Sequence, residues 1–159
     1  MIVSHKKIFV VLGMHRSGTS AMTRALQVLG VELGDNLMPA AACNNETGFF
    51  EDLDINKLNI ELLQALGSSW HSLACIDLAG LQDLDLSALR QRAAALLTEK
   101  LQNTSYFGLK DPRVCRLLPF WQKVFAELDL EVHYLIASRN PISVAQSLAK
   151  RDGFELEKG

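Results

Sequence analysis

Gly13-Met14-His15-Arg16-Ser17-Gly18-Thr19-Ser20 is the stretch on which the reading of the fold turns. It has the form of a phosphate-binding glycine loop, except that Thr19 stands where the nucleoside-triphosphate pattern has lysine. Before it, Ile8-Phe9-Val10-Val11-Leu12 is β-branched and apolar, as a buried parallel strand requires; after it, Ser20 to Gly30 has helical spacing. Strand, glycine turn and helix in this order make an anion cradle. Backbone N–H groups and the positive end of the helix dipole would hold a phosphate or sulfate, and Gly13 and Gly18 let the backbone approach it closely. Without lysine at position 19 the loop lacks the charge that reaches the β- and γ-phosphates of ATP. Arg16 supplies a planar guanidinium instead, and the Thr19 and Ser20 hydroxyls can donate to the same group. A tight strand-to-helix turn without a ligand is the plainer reading of the same residues.

Working outward, 159 residues of which 48% are hydrophobic suffice for one domain with a real core, but not for two of ordinary size. A net charge of -2 with both signs interspersed gives no broad positive field, so neither nucleic acid nor an anionic membrane is expected as a partner. Cys43, Cys75 and Cys115 lie far apart, at no metal-ligand or redox spacing, as free thiols in a reducing compartment would. His5, Lys6 and Lys7 before an apolar run faintly resemble a secretory signal. The run is short and leads directly into the glycine loop, so it is read as the first strand. No stretch approaches the roughly 20 apolar residues of a membrane span, and a cytoplasmic location is the default expectation.

Val31 to Thr47, with Gly34, Asp35, Asn36, Pro39 and Asn44-Asn45, reads as a long loop near the mouth of the glycine turn. Asp52 to Leu66 and Leu86 to Leu101 read as helices, the second with Asp85 or Ser87 as N-cap. Tyr106-Phe107-Gly108-Leu109 is a second strand, ending in the charged tetrapeptide Lys110-Asp111-Pro112-Arg113. Val114 to Leu128 is an amphipathic helix. Val132 to Ala137 is a third strand, followed by Ser138-Arg139-Asn140-Pro141 and a helix from Pro141 to about Lys150. In open α/β sheets ligands bind beyond the carboxyl ends of the strands, where the glycine loop, the tetrapeptide and Arg139 would all fall. The expected fold class is α/β, a three-layer α/β/α arrangement with a central, mainly parallel sheet of the P-loop nucleotide-binding type.

Two motifs coincide: Arg16-Ser17-Gly18-Thr19 after the first strand, and Arg139 followed by Ser147 after the third. The pair resembles the sulfotransferases that use 3′-phosphoadenosine 5′-phosphosulfate (PAPS). The resemblance extends over nearly the whole chain to sulfotransferase-like proteins, bacterial ones among them, that share the glycine loop, Gly48 to Glu51, Leu109 to Arg113 and Ser138 to Pro141. It implies that Arg16, Ser17, Gly18, Thr19 and Ser20 bind the phosphosulfate, with Gly13 and His15 in the same loop, and that Arg139 and Ser147 bind the 3′-phosphate. Such enzymes usually continue into further helices and a covering loop, so the single domain spanning 1–159 is expected to lack C-terminal elements.

Sulfonyl transfer must neutralise the leaving oxygen and orient a nucleophile. Arg16 is the natural neutraliser; Lys110 either shares that task or pairs with Asp111. The resemblance places a glutamate after the long loop, near the acceptor side, which makes Glu51 the first choice of general base, against a role as a helix N-terminal carboxylate; Asp111 is the second, against anchoring Arg113 or a loop backbone. His15 either touches the sulfonate or acceptor or makes a structural hydrogen bond. Arg113 and Arg116 either meet an anionic acceptor or are solvated. No His, Cys, Asp and Glu group has ligand spacing, so no metal is expected. The expected reaction is sulfonyl transfer from PAPS to a hydroxyl of a carbohydrate or other small acceptor, leaving adenosine 3′,5′-bisphosphate. The rivals are a nucleotide-dependent kinase with an atypical loop and a non-catalytic binding module.

Overall fold

A computed structural model of the chain describes residues 6–42, 44–72, 74–76 and 85–153. Cys43 and the His5 end of the basic segment lie outside them. Three strands form one sheet: β1 (Lys7–Leu12), β2 (Tyr106–Lys110) and β3 (Glu131–Ile136), in the order β2-β1-β3. β1 pairs parallel with both neighbours, Val11 opposite Lys110 and Leu12 opposite Ile136, so all three carboxyl ends reach the same edge. Five helices accompany the sheet among the described residues: α1 (Thr19–Val28), α2 (Leu53–Ala65), α3 (Ser87–Lys100), α4 (Val114–Glu127) and α5 (Pro141–Asp152). The class is α/β with a parallel sheet.

Alternation along β1 divides its side chains between two cores. Ile8 and Val10, with Phe107 and Leu109 of β2, face a large cluster built with Ile55, Leu58, Leu62 and Leu63 of α2, Ala93 and Leu97 of α3, and Val114, Leu117, Phe120, Trp121, Val124 and Phe125 of α4. Val11 faces the other way, onto Leu26 of α1 and Val31, with Phe9, Met22 and Leu135 at the margin. Helices therefore cover both faces of the sheet. Each large side chain so buried contributes on the order of 2 kcal/mol from apolar area, which is why these positions carry Leu, Val and aromatics.

Element ends lie within one or two residues of those expected, with informative differences. Lys110 belongs to β2 itself and is buried. Leu86, not Asp85 or Ser87, occupies the N-cap of α3; the Asp85 carboxylate accepts instead from Ser87 N at 3.0 Å. Asp52 caps α2, accepting from Asp54 N and Ile55 N, and Asn140 caps α5, with Pro141 in the first turn. The segment expected as loop after α1 carries a parallel bridge, Glu32 to Phe107, and two antiparallel ones, Leu37 to Asp52 and Ala41 to Asn45. Among the described residues no helix is long and apolar enough to cross a membrane.

Candidate anion-binding site

The carboxyl edge of the sheet opens into a cavity of about 900 Å³, lined by the glycine loop, the segment from Asn44 to Glu51, Lys110, Pro112, Arg139 and Arg151. Between β1 and α1 the chain turns sharply: Ser17 N and Ser17 Oγ both donate to the Met14 carbonyl, at 3.2 and 2.7 Å. Arg16 (φ 67°) and Gly18 (φ 99°) take left-handed conformations, the second at the N-cap of α1. Gly13 is required by space. A Cβ there would stand 2.7 Å from Ser17 Oγ and 2.8 Å from the Ala137 carbonyl. No acid occupies the first turn of α1, leaving its positive end uncompensated.

The two distant motifs meet at this loop. Arg16 Nε donates to Ser147 Oγ at 2.9 Å and its NH1 to the Asn44 carbonyl at 3.0 Å, while Arg139 NH1 donates to the Arg16 carbonyl at 3.0 Å. Ser20 Oγ, in the first turn of α1, accepts from Asn45 Nδ2 at 3.1 Å. Among the described residues, Arg16, Arg24, Lys110, Arg139 and Arg151 line the cavity against two carboxylates, Glu46 and Glu51. The balance favours an anion.

His15 faces the cavity and meets Trp70 edge to face at 5.5 Å. Burial, reinforced by the Arg151 and Arg113 charges, lowers its pKa to about 4, so the imidazole is neutral at pH 7. Lys110 Nζ donates to Glu51 Oε1 at 2.7 Å and to the Phe49 carbonyl at 3.0 Å, so its ion pair is with Glu51 and not Asp111. Burial pushes the Glu51 carboxyl up, and the Lys110 charge pulls against it.

Asp111 is buried and absent from the cavity wall. Its Oδ1 accepts from Arg113 N and Arg113 NH1, each at 2.9 Å, and its Oδ2 from Asn59 Nδ2 at 3.1 Å and Asn56 Nδ2 at 3.3 Å. Both oxygens are occupied, which is the geometry of an anchor. Arg116 likewise turns to the chain after α2, donating to the Ser69 and Ala74 carbonyls and to Ser68 Oγ.

Sequence reasoning missed several groups here. Arg24 lines the cavity one helical turn beyond Ser20, a spacing that could have been read. Asn44 has a buried side-chain oxygen without a hydrogen-bond partner among the described residues, and Cys115 Sγ accepts from Gly13 N at 3.1 Å. Neither has a local sequence signal. Compared with family models, curated proteins and solved structures, the chain has no match.

Proposed function

We propose that this chain is a P-loop α/β sulfotransferase, transferring a sulfonyl group from PAPS to a hydroxyl of a carbohydrate or other small acceptor in the cytoplasm. One observation carries the reading: the Arg16 guanidinium reaches from the glycine loop to Ser147, while Arg139 holds the Arg16 carbonyl. A donor with phosphate groups on both the 3′ and the 5′ oxygens of its ribose needs two anion sites a short distance apart, and these residues are the two motifs that resemble such sites. The uncompensated N-terminus of α1, the Thr19 and Ser20 hydroxyls and the cationic wall fit the phosphosulfate end. The orphaned Asn44 oxygen offers an acceptor to a ligand N–H or O–H.

In this reading the loop residues Gly13 to Ser20 hold the phosphosulfate, and Arg139 and Ser147 the 3′-phosphate. Transfer breaks the sulfur–oxygen bond to the phosphate, which keeps the electron pair, and forms the bond to the acceptor oxygen, whose proton passes to Glu51. Arg16 and Lys110 neutralise charge on the leaving oxygen. Glu51 suits the base because burial raises its proton affinity and it lines the cavity, whereas Asp111 holds Arg113 in place. Neutral His15 donates a single hydrogen bond, through its one ring N–H, to a sulfonate oxygen.

Calorimetric titration with adenosine 3′,5′-bisphosphate, ATP and AMP at one salt concentration tests the proposal. Preference for the bisphosphate by about tenfold or more, roughly 1.4 kcal/mol, is the expected result. A preference for ATP would transfer the case to a kinase. No nucleotide binding by the folded chain would refute the donor assignment.

A further inference from the structure

Lys110 stands between two places where negative charge belongs. Its Nζ is 2.7 Å from Glu51 Oε1 and 3.5 Å from Ser20 Oγ, a hydroxyl of the anion cradle. Both members of the Lys110–Glu51 pair are shielded from water, with 3% and 5% of their side chains exposed. The remaining partners of Glu51 are more distant: Asn56 Nδ2 at 3.4 Å and Arg113 NH1 at 3.8 Å, the latter 2.9 Å from Asp111. Lys110 is thus the principal counter-ion of Glu51. The same ammonium is within reach of whatever sits on the loop.

One ammonium cannot neutralise both a buried carboxylate and an incoming anion. We propose that Lys110 is handed from Glu51 to the sulfonyl donor as the donor enters the cradle, so that Glu51 can take up a proton only in the donor-loaded enzyme; this rests on the sulfotransferase reading above. With Lys110 in place Glu51 is a neutralised carboxylate and a poor base. Once Lys110 turns to the donor, Glu51 is left in a buried site facing Arg113 at longer range and the negative Asp111, which raises its affinity for a proton. The donor must therefore bind before the acceptor can react, and an acceptor entering the empty site meets no base. Breaking the pair is also subtracted from donor affinity.

That last consequence gives the test an unusual sign. In Glu51→Gln the restraint on Lys110 is gone, so the chain should bind adenosine 3′,5′-bisphosphate about tenfold more tightly by calorimetry, although a group at the site has been altered. Relief of simple repulsion between Glu51 and the bisphosphate would act in the same direction, and a double-mutant cycle separates the two. In a Lys110→Met background the tightening should vanish. Glu51→Gln/Lys110→Met should also bind about tenfold more weakly than Glu51→Gln. This second comparison does not use Lys110→Met alone, and so stands even if that single variant does not fold. Unchanged or weaker binding by Glu51→Gln, equal binding by Glu51→Gln and the double variant, or tightening that persists in Lys110→Met would each overturn the hand-over. Those results leave the donor assignment intact, provided the unaltered chain binds the bisphosphate. Failure of the unaltered chain to bind it overturns both.

Discussion

Asp111→Asn should cost the fold about 3–5 kcal/mol, the range for removing one partner of a buried charge network. The figure follows from what the carboxylate holds. Asp111 is 1% exposed and accepts from the backbone and guanidinium of Arg113 through one oxygen and from Asn56 and Asn59 through the other. An amide at this position keeps the shape but turns an NH2 group toward two donors, and leaves Arg113, whose buried Nε already lacks a partner, without its closest anion. Against a typical total of roughly 5–15 kcal/mol, the loss is a large share of the fold's stability. Urea unfolding followed by tryptophan fluorescence reads it directly, because Trp121 donates its indole N–H to Asn59 and so belongs to the same network. Glu99→Gln, on the exposed side of α3, should shift the transition by less than about 0.5 kcal/mol. If the proposed sulfonyl transfer is the activity, folded Asp111→Asn, assayed well below its midpoint, should retain it. A loss of stability below about 1 kcal/mol accompanied by abolished turnover would refute the anchor and return Asp111 to the chemistry.

Arg16→Ala should lower turnover far more than bisphosphate affinity, while Arg139→Ala should mainly weaken binding; steady-state kinetics paired with calorimetry separates them, and equal losses in both would contradict the assigned roles. His15 carries a pH signature. Its folded pKa of about 4 lies below the unfolded value, so its contribution to stability is complete above pH 6.5 and is lost as pH falls from there toward 4, by on the order of 3 kcal/mol. Urea midpoints measured across that window should slope less in His15→Gln than in the unaltered chain, and identical slopes would show that His15 is not held neutral by the fold.

The periodic parts of the chain were legible. The apolar run at Ile8 to Leu12 is buried on both faces of its strand and the helical stripe at Val114 to Leu128 on one, and local spacing announces such segments. The glycine loop was legible for a different reason, since its residue types answer demands of the backbone itself. What could not be read was the pairing of charges. Lys110, the last residue of β2, and Asp111, just beyond it, are neighbours in sequence, but their side chains reach different partners, Lys110 pairing with Glu51 and Asp111 with Asn56 and Asn59 of α2. Those two asparagines lie among the apolar residues that bury α2, and only their tertiary partner explains polar groups there. Arg116 is similar: its carbonyl and hydroxyl acceptors come from a turn distant in sequence.

The central position of β1 has a consequence for how the chain comes to its fold. β1 is made first, yet both strands that pair with it, from Tyr106 and from Glu131 onward, are made much later. Closing such long loops is entropically costly, and parallel pairing between remote segments is slow for that reason. During synthesis the Ile8 to Leu12 run and the unpaired edges of its backbone must therefore wait, exposed to solvent or to a chaperone, until the later strands emerge. The glycine loop, which hangs from the end of β1 and packs close to Ala137 and, through Arg16, against Ser147, is accordingly among the last parts of the molecule to be assembled.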